Sequence, residues 1–451
     1  YYIMNIGIKV KKGLDLHLQG AVADSRQCEV KPVTTVAIVP DDFVGLVPKM
    51  EVREGDEVLA GQPLFHAKNC EALKVVSPAQ GKVKAVVRGE RRKILRVEVE
   101  VTGEQAVKHA VDGALTDAAK AKALLLESGL WAMTLQRPYA IVTNPDAEIR
   151  DIFVSGFDSA PLAESPAEFT DQQRKAMQAG VKLLATLTAG KVYATRQTWQ
   201  QIPDLEGAEM VTVSGPHPSG NAGTAIGLVK PVNKGETVMT LTLDTLMRIG
   251  TLALTGTVPC STTVALTGSE IETPKMVETL IGASLSELLK GEVKADGRHH
   301  RVISGNVLTG VNAGADGYLR YPYTQVTVIP EGDDADEFMG WASVSPKKMS
   351  TSRSFPGHFL AKKLFNPDAR LLGGRRAMIM SGQYDDVVPL DILPEYLIKA
   401  IIARDIDRME QLGIYEVAPE DFALAEYVDT SKLELQKIVR EGLDYLRKEL
   451  E

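Results

Sequence analysis

The sequence predicts a mixed α/β chain with added β units: a barrel-sandwich hybrid, a Rossmann-like α/β layer, a β-grasp (SLBB-like) unit and a C-terminal helical domain. Three observations carry that expectation. Between Val52 and Thr102, short alternating strands are cut by a turn every roughly eight to twelve residues. Between about Gly103 and Val258, apolar strand-like runs alternate with helical patterns. After Pro394, apolar residues recur at helical spacing.

The expected organisation runs in order along the 451 residues, enough for about three domains with cores of their own. Residues 1–40 form an N-terminal leader with strands, with Met4 as the expected natural start. Residues 41–102 form the barrel-sandwich domain. In VREGDEVLAGQPLF (Val52 to Phe65), Gly55-Asp56 and Gly61 mark turns, and SPAQGKVKAVV (Ser77 to Val87) repeats the plan around Pro78 and Gly81. RGERRK (Arg88 to Lys93) is a charged hairpin tip before the strand ILRVEVEV. The pattern is that of biotinyl/lipoyl-like carriers, whose modified lysine precedes the Pro-x-x-Gly turn. Here that spacing falls on Cys70, flanked by Lys68 and Lys74 without the usual methionines.

Residues 103–258 form the α/β domain. DAAKAKALLLESG (Asp117 to Gly129) and AEFTDQQRKAMQAGVKLLATLTAG (Ala167 to Gly190) read as helices, and KVYAT and EMVTVSG as strands. Residues 259–330 form the β-grasp unit, with strand, turn, strand and short helix in VALTGSEIETPKMVETLIGASLSELL. Residues 331–383 are an extended linker rich in Gly, Ser, Pro and basic residues. Residues 384–451 are helical: Leu397, Ile398, Ile401, Ile402 and Met409 form one stripe ended by Gly413. A final helix follows, with Ser431 and Glu434 expected as its capping box and Leu435, Ile438, Val439, Leu443 and Leu446 as its buried face.

Composition excludes several functions. Hydrophobic content of 44% and charged content of 24% describe an ordinary globular protein, and a net charge of −8 argues against nucleic acid as a partner. No apolar run approaches the roughly 18 residues of a membrane span, and Lys9, Lys11 and Lys12 interrupt any leader-like stretch. Cys28, Cys70 and Cys260 lie far apart, and the histidines include His299-His300 but no His-Glu-x-x-His. No protein-held metal centre is expected.

The stretch VTVSGPHPSGNAGTAIG (Val211 to Gly227) stands apart. Gly215 and Gly220 have the spacing that opens a phosphate loop, but Asn221 and Ala222 stand where lysine and serine or threonine are needed. Pro216 breaks a dinucleotide fingerprint and removes a backbone donor. What remains is a rigid loop with one titratable group, His217, between Pro216 and Pro218.

With KKGLDL (Lys11 to Leu16), EVREGDEVLAGQPLF, SPAQGKV, LTGSEIETPKMVETLIGASL and TSRSFPGH, the loop GPHPSGNAGT forms a collinear set of motifs. That set, from about residue 6 to 450, resembles the A-subunit family of sodium-translocating NADH:quinone reductases. The family is similar in turn to the C subunit of Rnf complexes and to the NADH-binding flavoprotein subunit of complex I. Where those relatives carry a Gly-Arg-Gly-Gly-Ala-Gly-Phe-Pro flavin loop, this chain reads LESGLWAMTLQRP (Leu126 to Pro138), with Gly129 retained and Trp131 and Met133 crowding the space. Pro419, Phe422, Ala425 and Asp429 stand at the Rnf cysteine-ligand positions, and none supplies a thiolate.

The resemblance therefore implies a peripheral subunit on the cytoplasmic face of the bacterial inner membrane, supporting quinone reduction coupled to Na+ export. NADH, FAD, FMN, an Fe–S centre and quinone belong to the complex, and none is expected on this chain, which carries no catalytic residue of its own. The other subunits are the expected partners, the membrane-embedded B subunit foremost. Gly215, Pro216, His217, Pro218, Gly220 and Gly223 are the candidates for quinone contact or partner docking, against the alternative of a purely structural turn. Arg88, Arg91, Arg92, Lys93, Lys347, Lys348 and Arg353 are candidate contacts with membrane partners or anionic lipid. Two rival readings are an autonomous flavin-dependent NADH dehydrogenase and a biotin or lipoyl carrier modified on Lys68 or Lys74.

Overall fold

The computed structural model describes residues 6–339, 342, 344–351, 355–360 and 363–450. The expected start at Met4 and the candidate contact Arg353 lie outside the described residues. Four sheets organise the described residues. The largest has seven strands in the order Ile6–Lys9, Ala208–Ser214, Val192–Arg196, Ile149–Ser155, Thr237–Thr242, Leu135–Arg137 and Ile141–Val142. Its first five strands are parallel, and the last two run antiparallel. Parallel strands need crossovers, and helices supply them. Asp171–Ala185 begins in a Thr170–Gln173 capping box, and Leu243–Thr255 is capped by Thr242 and ended by left-handed Gly256. The predicted helix from Ala167 to Gly190 is thus shorter, because Thr170 takes its first free N–H groups.

Two smaller sheets form the barrel-sandwich hybrid. Thr35–Ile38, Ile94–Gly103, Gln80–Arg88 and Glu57–Val58 make one, and Pro48–Met50, Pro63–Ala67 and Cys70–Val76 the other. Val36, Phe65 and Val97 are wholly buried in a core continuous with Ile152 and Leu184 of the α/β layer. Each such side chain contributes roughly 1.5–3 kcal/mol of burial. Lys68 stands exposed at the tip between Pro63–Ala67 and Cys70–Val76, whereas Lys74 lies within the strand.

The six-stranded sheet runs Val311–Asn312, His300–Ser304, Gln325–Pro330, Ser261–Thr267, Lys275–Leu280 and Cys28–Val30, with the short helix Leu285–Leu288 packed on its core. The first thirty residues therefore reach two distant sheets: Ile6 pairs with Val211, and Cys28 with Met276.

The C-terminal helices differ from the expectation at two places. The stripe from Leu397 to Met409 is broken into Pro394–Ala403 and Ile406–Gln411, because Arg404 turns left-handed (φ 54°) and Asp405 caps the second helix by accepting from Arg408 N. Ile402 consequently faces solvent. The capping box at Ser431 and Glu434 does not form: Ser431 Oγ donates to Ala377 O at 2.9 Å, and Glu426 Oε2 accepts the Gln436 N–H at the start of Leu435–Leu450. Leu435, Val439, Leu443 and Leu446 are the fully buried face of that helix, and Ile438 packs at its margin.

Candidate functional site

The loop after Ala208–Ser214 leaves the carboxyl ends of the parallel strands, where open α/β sheets place their ligand sites. The chain's own opening crosses it closely. Gly215 has φ +128°, and a Cβ there would stand 2.2 Å from Val10 O, so only glycine fits. Leu14 N donates to His217 O (2.8 Å), and His217 N donates to Asp15 Oδ1 (2.9 Å). The KKGLDL motif and the glycine loop are thus one packed unit. Ser219 N donates to Pro216 O, and Pro218 O accepts from Asn221 N and Thr224 Oγ1.

His217 is 3% exposed. Its Nδ1 lies 3.0 Å from Ser159 Oγ, which also accepts the Gly220 N–H at 2.8 Å. Burial depresses the imidazole to about 4, opposed in part by a hydrogen bond with Ser159. The ring is neutral at physiological pH, and its Nε2 is buried without a hydrogen-bond partner among the described residues. A serine–histidine pair can form an activated nucleophile, but here no acid orients the imidazole and the serine oxygen already serves a backbone donor. The pair ties the loop to Phe157–Ser159 instead.

The helix that follows, Ala222–Val229, begins against a carboxylate from the far end of the chain. A Cβ on Gly223 would lie 2.4 Å from Asp421 Oδ1, so glycine makes room for that acid. Asp421 Oδ2 accepts from Arg137 Nη1 (2.9 Å) and from Ala418 N (2.8 Å), while Arg137 Nη2 donates to Glu420 Oε1 (2.8 Å). Arg137 and Asp421 are each 3% exposed, so this is a buried ion pair joining the sheet edge to the C-terminal helices. Burial works against the guanidinium's charge, but Asp421 and Glu420 outweigh it and hold the charged form.

Asp158 completes the constellation. Its side chain reaches solvent, yet burial in the surrounding protein raises its carboxyl, with Ala160 N–H opposing. Glu420, half exposed, is raised by the same cause, with Arg137 opposing and Asp158 and Asp421 adding to it. Asp158 and Glu420 thus stand as neighbouring, solvent-reached carboxyl groups at the margin of the buried Arg137–Asp421 pair. The cluster offers two carboxyl groups that hold protons more readily than usual, beside a cation that is buried and already paired. Of these groups, the sequence alone singles out only the loop. Arg137, Asp158, Ser159, Glu420 and Asp421 come from three separate regions, and no local spacing signals their meeting.

A second feature lies on the opposite chain segment. A groove of about 960 Å³ runs between residues 345–376 and the C-terminal helices, with Lys347, Arg375, Arg376 and Lys432 on its walls. Lys348, expected as a surface contact, is buried: its Nζ donates to Glu337 and lies over the Phe355 ring. Arg88, Arg91, Arg92 and Lys93 do stand exposed at their tip, with Lys93 paired to Asp41.

Three family models match the chain: the NqrA N-terminal barrel-sandwich hybrid domain over residues 8–102, the NqrA second alpha/beta domain over 116–258, and the NQRA C-terminal domain over 263–315. The A subunit of the Na(+)-translocating NADH-quinone reductase of Vibrio anguillarum is 38% identical over 448 residues, covering 98% of this chain and 100% of the relative. Its counterpart in Serratia proteamaculans (strain 568) is 37% identical over 451 residues, with the same coverage. Among solved structures, an NAD+-reducing [NiFe]-hydrogenase in the H2-reduced state aligns with a TM-score of 0.39 and 11% identity, over 74% of this chain and 62% of that one. No helix among the described residues is long and apolar enough to cross a membrane.

Proposed function

The chain belongs to the family of A subunits of Na+-translocating NADH-quinone reductases, and on that premise we propose that it is a peripheral subunit, on the cytoplasmic face of the bacterial inner membrane. It docks on a membrane-embedded partner, the B subunit foremost, and supports quinone reduction coupled to Na+ export without holding flavin or iron–sulfur itself. One observation carries the docking: Phe338, Met339, Val344, Phe359, Leu364 and Leu371 are each more than half exposed within one extended segment. Large apolar side chains concentrated in that way fit an interface that a partner covers. Exposed Lys347 and the basic groove wall lie beside them, and suit an acidic partner surface.

The lack of a flavin site is supported by Trp131, which is 1% exposed and donates from Nε1 to Thr143 O at 2.8 Å. The indole fills the turn where the flavin-bearing relatives leave backbone amides free. For quinone, the reading favours the loop of Gly215, Pro216, His217, Pro218, Gly220 and Gly223, with solvent-reached Asp158 beside it as the polar contact for a carbonyl.

The test is co-purification of the tagged chain from native membranes. Phe338→Ser with Phe359→Ser is expected to strip the other subunits while the isolated chain keeps its melting temperature. Retention of the whole complex by that variant refutes the docking surface. The isolated wild-type chain is expected to show no flavin band near ~450 nm, and a stoichiometric yellow preparation refutes the cofactor-free reading.

A further inference from the structure

In the β-grasp unit three side chains converge: Glu270 from the turn after Ser261–Thr267, Asp296 from the segment before His300–Ser304, and His300 from the start of that strand. His300 Nε2 lies 3.2 Å from Asp296 Oδ1 and 3.3 Å from Glu270 Oε2, and all three ligand atoms fall within 4.8 Å of one another. This is the only such group of histidine, cysteine and carboxylate donors among the described residues. Glu270 is 3% exposed and His300 12%.

The spacing suits a bound metal. Nε2 has two carboxylate neighbours at ion-pair distance, yet this buried nitrogen has no hydrogen-bond partner among the described residues. A tetrahedral ion with ligand bonds of about 2.0–2.2 Å separates its ligand atoms by about 3.3–3.6 Å, close to both nitrogen–oxygen distances here. The carboxylates are held by their unused groups. Glu270 Oε1 accepts from Ser269 Oγ, its backbone N donates to Val328 O, and Asp296 Oδ1 also accepts from Arg298 N. Of the nearby cations, Lys294 Nζ is engaged on Ser269 O, and Arg298 Nε lies 3.6 Å from Asp296 Oδ2, the oxygen turned away from His300.

We propose that Glu270, Asp296 and His300 bind a divalent d-block cation of the Zn2+ class, with water as the fourth ligand. An imidazole with two carboxylates favours such ions over Mg2+ or Ca2+, which prefer oxygen alone. The ion clamps the turn at Glu270 to the segment leading into His300–Ser304, so its role is structural. No local spacing in the sequence signals this set, because Glu270 lies far from Asp296 and His300 and enters through a turn.

Full-length protein stripped with EDTA and titrated with Zn2+ in a calorimeter is expected to take up one ion at this site. His300→Ala and Glu270→Gln each weaken that binding by more than about tenfold, whereas His299→Ala, which alters the exposed His299–Asp333 pair, leaves it unchanged. Co2+ in place of Zn2+ gives the visible absorption of a tetrahedral site in the wild type and in His299→Ala, and not in Glu270→Gln. Equal uptake and equal Co2+ spectra in wild type and Glu270→Gln overturn the proposal, as does a wild type that takes up no Zn2+. Glu270→Gln keeps the size of the side chain, so it carries the test even where His300→Ala folds poorly.

Discussion

Acidification should weaken the glycine loop through His217, by an amount the structure sets. In the folded chain the imidazole titrates at about 4, because burial penalises its charged form; unfolded, it returns to about 6.5. Between those values the unfolded chain binds more protons than the folded one, so stability rises with pH across that window and falls on acidification. Linkage gives a loss of about 2 kcal/mol between about pH 7.5 and pH 5, with a ceiling of about 3 kcal/mol below pH 4. The raised carboxyls of Asp158 and Glu420 work in the opposite sense, since their folded forms hold protons longer. The assay is therefore differential: urea unfolding of wild type and His217→Gln at both pH values, followed by ellipticity. The variant cannot take up the proton, so its stability should fall by about 2 kcal/mol less than the wild type's. Equal losses in the two proteins would falsify the claim that His217 is held neutral by burial.

Three further outcomes follow from the same structure. Arg137→Met leaves Asp421 charged and buried, and should cost about 3–5 kcal/mol in urea unfolding; adding Asp421→Asn should restore most of it, and a single-variant cost under about 1 kcal/mol means the pair is not buried. Gly55 has φ +93°, and no atom lies within 4 Å of the place a Cβ would take, so Gly55→Val should cost about 1–3 kcal/mol from backbone strain alone, and a neutral melting temperature rejects the left-handed turn. Ser431→Ala should lose about 1 kcal/mol and speed amide exchange at Ile379, whose N–H bonds to Ser431 Oγ; faster exchange at the start of Leu435–Leu450 instead would restore the capping-box reading.

Local chemistry made much of the fold legible. Alternation, turn glycines and helical runs such as Asp117 to Gly129 act over a few residues, and the elements they predict are present, although the cap at Thr170 starts the second helix later than expected. The errors arose where another group competed, distant in one case and adjacent in the other. Ser431 reads as a cap until Ala377 takes its hydroxyl, and the stripe through Ile402 reads as one helix until Asp405 offers a second cap. The site follows the same division. The loop was visible from its glycines and prolines, while the groups that give it chemical character, Arg137, Asp158 and Asp421, are joined only by folding. A glycine at 223 carries no mark in the sequence that an aspartate from the C-terminal region will lie over it.

The pairing of Ile6–Lys9 with Ala208–Ser214, and of Cys28–Val30 with Lys275–Leu280, has a consequence for synthesis. Residues 6–9 and 28–30 find their partners only after hundreds more have been made, so neither sheet can close in the order of translation. The amino-terminal strands must wait as open ends, and the edges that will receive them stay exposed to unwanted pairing until they arrive. Removing those few residues would take an edge strand from each of two sheets at once, which ties one short segment of the chain to the completion of both.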